Sequence, residues 1–120
     1  MRIIFYDKGV GFLADAHHYH AVGELNANGH DVLYVNPRQE LGHEDTAERY
    51  SEMLLDRVRK EHADKGVDMF FSLGWDISLT PEAVREISSL GIPTVSFSTD
   101  DLSHPFRVKK LTPAFDLCWT

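Results

Sequence analysis

The sequence predicts an α/β fold: a doubly wound, Rossmann-like, five-stranded parallel sheet with helices on both faces. Short apolar runs alternate with longer amphipathic stretches, which is the pattern of βαβ units. The apolar runs show no polar alternation, as expected for strands that helices cover on both sides. The amphipathic stretches begin and end at recognisable caps. With 120 residues, the chain is long enough for one domain, which we expect to span residues 1–120.

Five apolar runs are the predicted strands, and they are evenly distributed along the chain. Each is four to six residues long and is bounded by polar residues, glycine or proline. In order they are Arg2 to Tyr6, Asp31 to Val35, Asp68 to Leu73, Thr94 to Phe97, and Phe115 to Trp119.

The stretches between these runs carry helix signals. Asp15 is a candidate N-cap for a first helix from Ala16 to Asn28, with Gly29 as its stop. A second helix is capped by Asp45 or Thr46 and ends at Gly66. A third has Thr80 as cap with Pro81 in its first turn, and it ends at Gly91. A fourth, shorter helix begins at Ser103, runs to about Leu111 and is closed by Pro113.

Right-handed crossovers allow few orders for five such strands, and we expect 3-2-1-4-5, the common order of a Rossmann half. The first and fourth strands would then be neighbours, with connections leaving to opposite faces of the sheet. A crevice would open at their carboxyl ends, between residues 7–13 and 98–101. We therefore expect the ligand contacts there.

Composition argues against several function classes. The net charge is −7, from 12 Lys and Arg against 19 Asp and Glu, without a basic run that would neutralise phosphates, so no nucleic-acid partner is expected. No window resembles a membrane span, and the first strand leaves no room for a signal peptide. The single Cys118 lies in an apolar run and is predicted to be a buried thiol. A cytoplasmic location is expected.

A glycine-rich loop follows the first strand. Residues 9–14 read G-V-G-F-L-A, which matches G-x-G-x-x-A between a strand and a helix. In one interpretation Gly9, Gly11 and Phe12 contact a ligand, because glycines let backbone N–H groups approach an anion. In the other, the glycines only permit a tight turn. The second strand ends at Asn36 rather than at an acidic residue, so a dinucleotide would lack its ribose anchor.

Three histidines open the first predicted helix. Metal binding by His17, His20 and Glu24 is disfavoured, because helical sites usually pair histidines at i and i+4. If Asp15 is the cap, His17 and His18 lie in the first turn, where the helix dipole disfavours the imidazolium. Either is then a candidate general base facing the crevice. The alternative is that both are packing or surface histidines.

Two further candidates lie after predicted strands. Asp100 and Asp101 follow the fourth strand, and we expect them to bind substrate hydroxyls, to orient a catalytic histidine or to hold a cation, with Asp101 as a turn cap in the alternative. Trp75 follows the third strand and is predicted either to stack on a sugar or to cover the core.

Several segments together resemble the N-terminal domain of GT-B glycosyltransferases, in the branch similar to CgeB spore-maturation proteins. They are the opening strand with its glycine loop, L-N-A-N-G-H-D-V over residues 25–32, T-P-E over 80–82, L-G-I-P-T-V over 90–95, S-T-D-D over 98–101, and L-T-P-A-F-D-L-C-W-T over 111–120. The resemblance covers nearly the whole chain.

This resemblance implies transfer of a sugar from a nucleotide-sugar donor, in a cleft between two Rossmann-like domains. The N-terminal domain would bind mainly a small-molecule or glycan acceptor. The resemblance implies no metal site at Asp100 and Asp101 and no cofactor besides the donor as co-substrate. The donor-binding half would lie beyond Thr120, so we expect no transferase activity from these 120 residues alone.

Two other functions stay open. One is a flavodoxin-like domain with a non-catalytic binding or regulatory role, and the other is a nucleotide-binding Rossmann module. A reading frame that continues beyond Thr120 would favour the transferase. A homo-oligomer that forms through an edge strand is also expected.

Overall fold

The computed structural model describes residues 1–9, 11–42, 44–97 and 108–119. It has a five-stranded, all-parallel sheet with helices between the strands, so the predicted Rossmann-like α/β class is confirmed. The predicted strands are present to within two residues at either end. They are β1 (Arg2–Tyr6), β2 (Asp31–Val35), β3 (Met69–Ser72), β4 (Thr94–Phe97) and β5 (Leu117–Trp119).

The strand order is β2-β1-β3-β4-β5, and the predicted order 3-2-1-4-5 is wrong. β1 pairs with β2 on one side and with β3 on the other, where Phe5 lies opposite Phe71. The first and fourth strands are therefore separated by β3. Since β2 is an edge strand, only its last residue, Val35, is fully buried.

This order moves the crevice. In a sheet of order 2-1-3-4-5 the connections diverge between β1 and β3, and ligands bind at that point. The glycine loop therefore has the loop after β3 as its neighbour rather than the loop after β4.

The first helix, α1, is continuous over residues 12–27 and begins four residues before the predicted start. It consists of an α-helical segment (Phe12–His17), a π-helical turn (His18–Val22) and a second α-helical segment (Gly23–Ala27). Its N-cap is Gly11, at φ +52°, and not Asp15. His17 and His18 consequently lie beyond the first turn, and the dipole argument for a neutral ring does not apply to them.

The other helices begin at polar caps. The short α2 (Pro37–Leu41) was not predicted; it is capped by Asn36, whose side chain accepts from the N–H groups of Arg38 and Gln39. Thr46 caps α3 (Ala47–Asp64) and Thr80 caps α4 (Pro81–Ser89), as predicted, each by accepting a backbone N–H three residues on.

The two faces of the sheet have different covers. Ile4, Tyr6 and Phe70 belong to a core that they share with the inner sides of α3 and α4. The opposite face carries a row of aromatic rings that crosses the sheet and has α1 packed at its β2 end. Neighbouring rings of this row have centroids 5.3–6.3 Å apart, in the order Tyr34, Phe5, Phe71, Phe97 and Trp119. Within the described ranges, no helix is both long and apolar enough to cross a bilayer.

The C-terminal part differs from its prediction. The predicted helix from Ser103 falls mostly outside the described residues, and 108–111 form a turn that leads into a 3-10 turn (Thr112–Ala114). β5 is the other edge strand, and all three of its residues are exposed. Cys118 is exposed rather than buried because it lies at this edge. Self-association through an edge strand stays a prediction.

A reciprocal pair fixes β5 to β4. The Asp116 carboxylate accepts from the Thr94 N–H at 2.9 Å and from the Thr94 and Ser88 hydroxyls, while the Asp116 N–H donates to Thr94 Oγ1. The Thr94 N–H, followed by the two hydroxyls, holds the pKa of Asp116 below its usual range.

A depressed folded-state pKa means that Asp116 stabilises the fold above its unfolded pKa, and that this contribution is lost as the pH falls through the folded value. Asp116→Ala should therefore lower the thermal midpoint at pH 7, and the gap to wild type should narrow as the solution is acidified. Thermal denaturation between pH 7 and pH 3 measures this. Glu52→Gln, an exposed control on α3, should leave the midpoint unchanged. A gap that is independent of pH would contradict the role given to the Asp116 carboxylate.

Candidate active site

A buried carboxylate terminates β1. Asp7 is 0% exposed, and its own N–H donates to the Val35 carbonyl, which extends the β1–β2 ladder by one residue. A carboxylate without solvent needs donors, because an unpaired buried charge is costly. Asp7 accepts from the Gly9 N–H at 2.9 Å, from the Tyr34 hydroxyl at 2.7 Å, and interacts with a ring nitrogen of His17.

His17 faces Asp7 through Nδ1, which lies 3.0 Å from each carboxylate oxygen. Because a carboxylate only accepts hydrogen bonds, Nδ1 carries the hydrogen in this pair. The neutral ring then has its lone pair on Nε2. The His17 side chain is 33% exposed, so one edge of the ring reaches solvent while the other is held by the buried acid. This arrangement of an acid that orients a histidine is the one that general-base catalysis uses.

Tyr34 holds Asp7 from the β2 side. Its hydroxyl donates to Asp7 Oδ2 and accepts from the Asn36 side chain at 3.2 Å. Burial, more than any other effect, raises the pKa of Tyr34 above its ordinary value. The phenol therefore stays protonated and remains a donor to Asp7.

Asn36 uses all of its hydrogen-bonding groups inside the protein. Its Nδ2 donates to the Gly9 carbonyl at 2.7 Å and to Tyr34, and its Oδ1 accepts from the N–H groups of Arg38 and Gln39. An amide has two donors and one acceptor oxygen with two lone pairs, so nothing is left for a ribose. The structure thus accounts for Asn36 as a connector between the glycine loop and α2.

The two glycines of the loop differ in environment. A Cβ on Gly9 would lie 3.1 Å from the backbone N of Ala14 and 3.2 Å from Asp7 Oδ1, so Gly9 permits close packing of α1 on the loop. Gly11 has a positive φ of 52° with open space around it. Glycine is therefore required there for its backbone conformation and not for close packing. Phe12 is 83% exposed beside it. Ligand contact by Gly9, Gly11 and Phe12 stays a prediction.

His18 supports the site rather than joining it. Its ring packs edge-on against Tyr34, with centroids 4.9 Å apart, and it opens the π-helical turn. π-Helical turns occur frequently at functional sites. Of the two predicted histidines, His17 is the one that the structure brings to the Asp7 carboxylate.

Trp75 lies in the loop after β3. The Lys8 ammonium lies 3.5 Å from the centroid of its ring, a cation–π contact between the loops that follow β1 and β3. The backbone around Trp75 is fixed, because its N–H donates to Ser78 Oγ and the next residue, Asp76, accepts from the N–H groups of Lys110 and Leu111. Trp75 is partly buried, and stacking on a sugar stays a prediction.

Asp100 and Asp101 lie outside the described residues, and the strand before them, β4, does not neighbour β1. The acid that orients a histidine is therefore Asp7, which the sequence analysis did not single out. Its signal was present: a carboxylate at the carboxyl end of a buried strand lies where α/β proteins place function. Tyr34 and Asn36, at the end of the adjacent strand, carried the same signal.

Within the described ranges, no three side chains of the His, Cys, Asp and Glu types are grouped so that they could hold a metal ion. Comparisons with protein-family models, with curated proteins and with solved structures found no significant match to the chain. A proposal for the function therefore rests on the geometry of the site and on the sequence resemblance described above.

The loop glycines provide a test of how the site is built. Gly9→Ala should destabilise the fold by roughly 1–3 kcal/mol through overpacking and should shift the His17 ring resonances, because its Cβ would press on Asp7. Gly11→Ala should destabilise by a similar amount, roughly 1–3 kcal/mol, through backbone strain, and should leave the His17 resonances near their wild-type values. Urea denaturation and imidazole NMR measure the two effects. If Gly11→Ala moved the His17 resonances as far as Gly9→Ala, the assigned division between packing and conformation would be wrong.

Proposed function

We propose that this domain is the acceptor-binding half of a glycosyltransferase and that His17 is its general base. The observation that carries the proposal is the contact of His17 Nδ1 with both oxygens of the buried Asp7, at the carboxyl end of β1. The resemblance to the CgeB-like branch of GT-B enzymes supplies the reaction class. The site lies at the β1/β3 divergence, where open α/β sheets bind ligands.

Glycosyl transfer to a hydroxyl requires removal of one proton. In the proposed reaction the acceptor oxygen forms a bond to the anomeric carbon of the donor sugar, and the bond from that carbon to the nucleoside diphosphate breaks. The acceptor proton passes to Nε2 of His17, and Asp7 stabilises the imidazolium that forms. The nucleoside diphosphate leaves with the electron pair of the broken bond.

The rest of the crevice supports acceptor binding. Phe12, an exposed aromatic side chain next to the glycine loop, and Trp75, in the loop after β3, are the aromatic rings proposed to stack on the sugar. The nucleotide-sugar donor is the co-substrate and would be held by a second Rossmann-like domain. We propose a cytoplasmic location, because the single Cys118 provides no sign of an oxidising compartment.

Binding by the isolated domain tests this proposal. NMR titration of the ¹⁵N-labelled chain with a panel of mono- and disaccharides should shift Gly9, His17 and Trp75 for at least one sugar, whereas nucleotide sugars should leave these residues unshifted. His17→Gln should weaken binding of that sugar by about three- to tenfold, which corresponds to the loss of roughly one hydrogen bond. His20→Gln, an exposed histidine on the same helix, should bind as wild type does. Nucleotide release in the presence of donor and sugar should stay at background for this chain alone.

Three outcomes would contradict the proposal. Absence of sugar binding would remove the acceptor role, and equal losses in His17→Gln and His20→Gln would remove the assigned role of His17. Turnover of any nucleotide sugar by these 120 residues would show that no second domain is needed.

A second candidate is a flavodoxin-like binding domain without catalysis. The observation that favours it is the strand order 2-1-3-4-5, which is that of flavodoxin-like folds. Such a domain would bind a planar ring or a nucleotide at the β1/β3 divergence. In the titration above, shifts caused by a nucleotide or a flavin, with none from sugars, would favour this candidate.

A further inference from the structure

Arg38 lies beside the candidate active site, just after β2. Its Nη1 donates to the carbonyl of Lys8 at 3.3 Å, and Lys8 is the residue that follows Asp7. The guanidinium is therefore attached to the loop that carries the Asp7 carboxylate. The side chain is partly buried, and its Nε is fully buried without a hydrogen-bond partner in the part of the chain that the structure describes.

Four of the other described arginines have carboxylate partners, whereas Arg85, which is exposed, has no ion pair among the described residues. Arg2, which also has a buried nitrogen without a partner, is paired through its remaining nitrogens with Asp31 and Glu61. Arg49, Arg57 and Arg59 each form ion pairs with acidic side chains. No acidic side chain of the described residues lies within ion-pair distance of Arg38. This is notable in a chain that has a net charge of −7.

The partly buried Arg38 guanidinium has no anion beside it, and its buried Nε has no acceptor among the described residues. Burial without pairing is unfavourable, and the planar fork of arginine matches a carboxylate or a phosphate with two parallel hydrogen bonds. One such bond to Lys8 O fixes the side chain and does not neutralise it. An anionic group at the exposed part of the Arg38 guanidinium would supply the missing charge.

We propose that Arg38 binds an anionic group of the ligand, a phosphate or a carboxylate. Since it adjoins the loop that carries Asp7, an anion on Arg38 and a hydroxyl at His17 would belong to one molecule. The acceptor is accordingly an acidic or phosphorylated sugar, or a similar anionic polyol. That identity rests on the proposed function, whereas anion binding by Arg38 does not.

The experiment compares four probes by NMR titration of the folded chain: inorganic phosphate, glucose 6-phosphate, glucuronate and glucose. Wild type should bind both charged sugars at least about tenfold more tightly than glucose, which corresponds to one charge-assisted contact. Arg38→Gln should remove that preference and the binding of phosphate. Arg85→Gln, which neutralises an exposed arginine on α4, should retain both. Arg38→Lys keeps the charge without the fork and should show a reduced preference, which also provides a test if Arg38→Gln does not fold.

The four probes distinguish failure of the anion site from failure of the proposed function. Phosphate that binds through Arg38, with no sugar bound, would uphold the anion site and overturn the acceptor role. Glucose that binds as tightly as glucuronate and glucose 6-phosphate would overturn the anion site and leave the acceptor role standing. Equal phosphate affinity in wild type and Arg38→Gln would overturn the anion site outright. A stronger response to glucuronate than to glucose 6-phosphate identifies a carboxylate as the preferred group, and the reverse identifies a phosphate.

Discussion

The buried carboxylate of Asp7 is the group around which the carboxyl ends of β1 and β2 are arranged. It has no contact with solvent, and its charge is stabilised by donors from three parts of the chain: the glycine loop, β2 and α1. Because these donors are far apart in sequence, satisfying one carboxylate brings the loop, the tyrosine and the histidine to fixed positions. The same constraint explains the close packing at Gly9, whose Cβ would press on that carboxylate.

The residues around Asp7 fall into two groups: those whose polar atoms are satisfied within the protein, and His17, which is partly exposed. Asn36 and Tyr34 are satisfied within the protein and reach the carboxylate from β2, so they act as supports. His17 is the partly exposed member, so in the proposed function it is the one that contacts the ligand. The Arg38 guanidinium is attached to the same loop and has no ion pair among the described residues, and we propose that it recognises an anionic group there. The proposed proton acceptor and the proposed anion anchor are both attached to the segment that follows β1, His17 through Asp7 and Arg38 through Lys8, which fits an acidic ligand that carries a hydroxyl.

The sequence predicted the positions of strands and helices along the chain better than it predicted which strands pair in the sheet. Apolar runs and caps such as Thr46 and Thr80 located strands and helices, since these depend on local preferences. The strand order depends on which strands pair, and two orders satisfy the same right-handed crossovers. The partial burial of β2, with its exposed Asp31, is the feature that distinguishes an edge strand from an interior one.

The sequence pointed to His17 because of its expected place in the first helical turn. In the structure, His17 is positioned by its contact with Asp7 instead. Asp15 is a strong cap by residue type, yet Gly11, with its left-handed φ, starts α1 four residues earlier. The contact that positions His17 spans ten residues and crosses from a strand to a helix, so spacing within one element did not reveal it. A buried acid at a strand end is indistinguishable by sequence from a turn-forming one.

The central claim is that Asp7 holds His17 in the tautomer with hydrogen on Nδ1 and a lone pair on Nε2. Long-range ¹H–¹⁵N correlation of the imidazole rings at a pH where they are neutral measures this directly. Wild type should show Nδ1 protonated and Nε2 unprotonated at His17, and Asp7→Asn should lose that preference. A wild-type His17 with its hydrogen on Nε2, or one that exchanges freely between tautomers, would contradict the account.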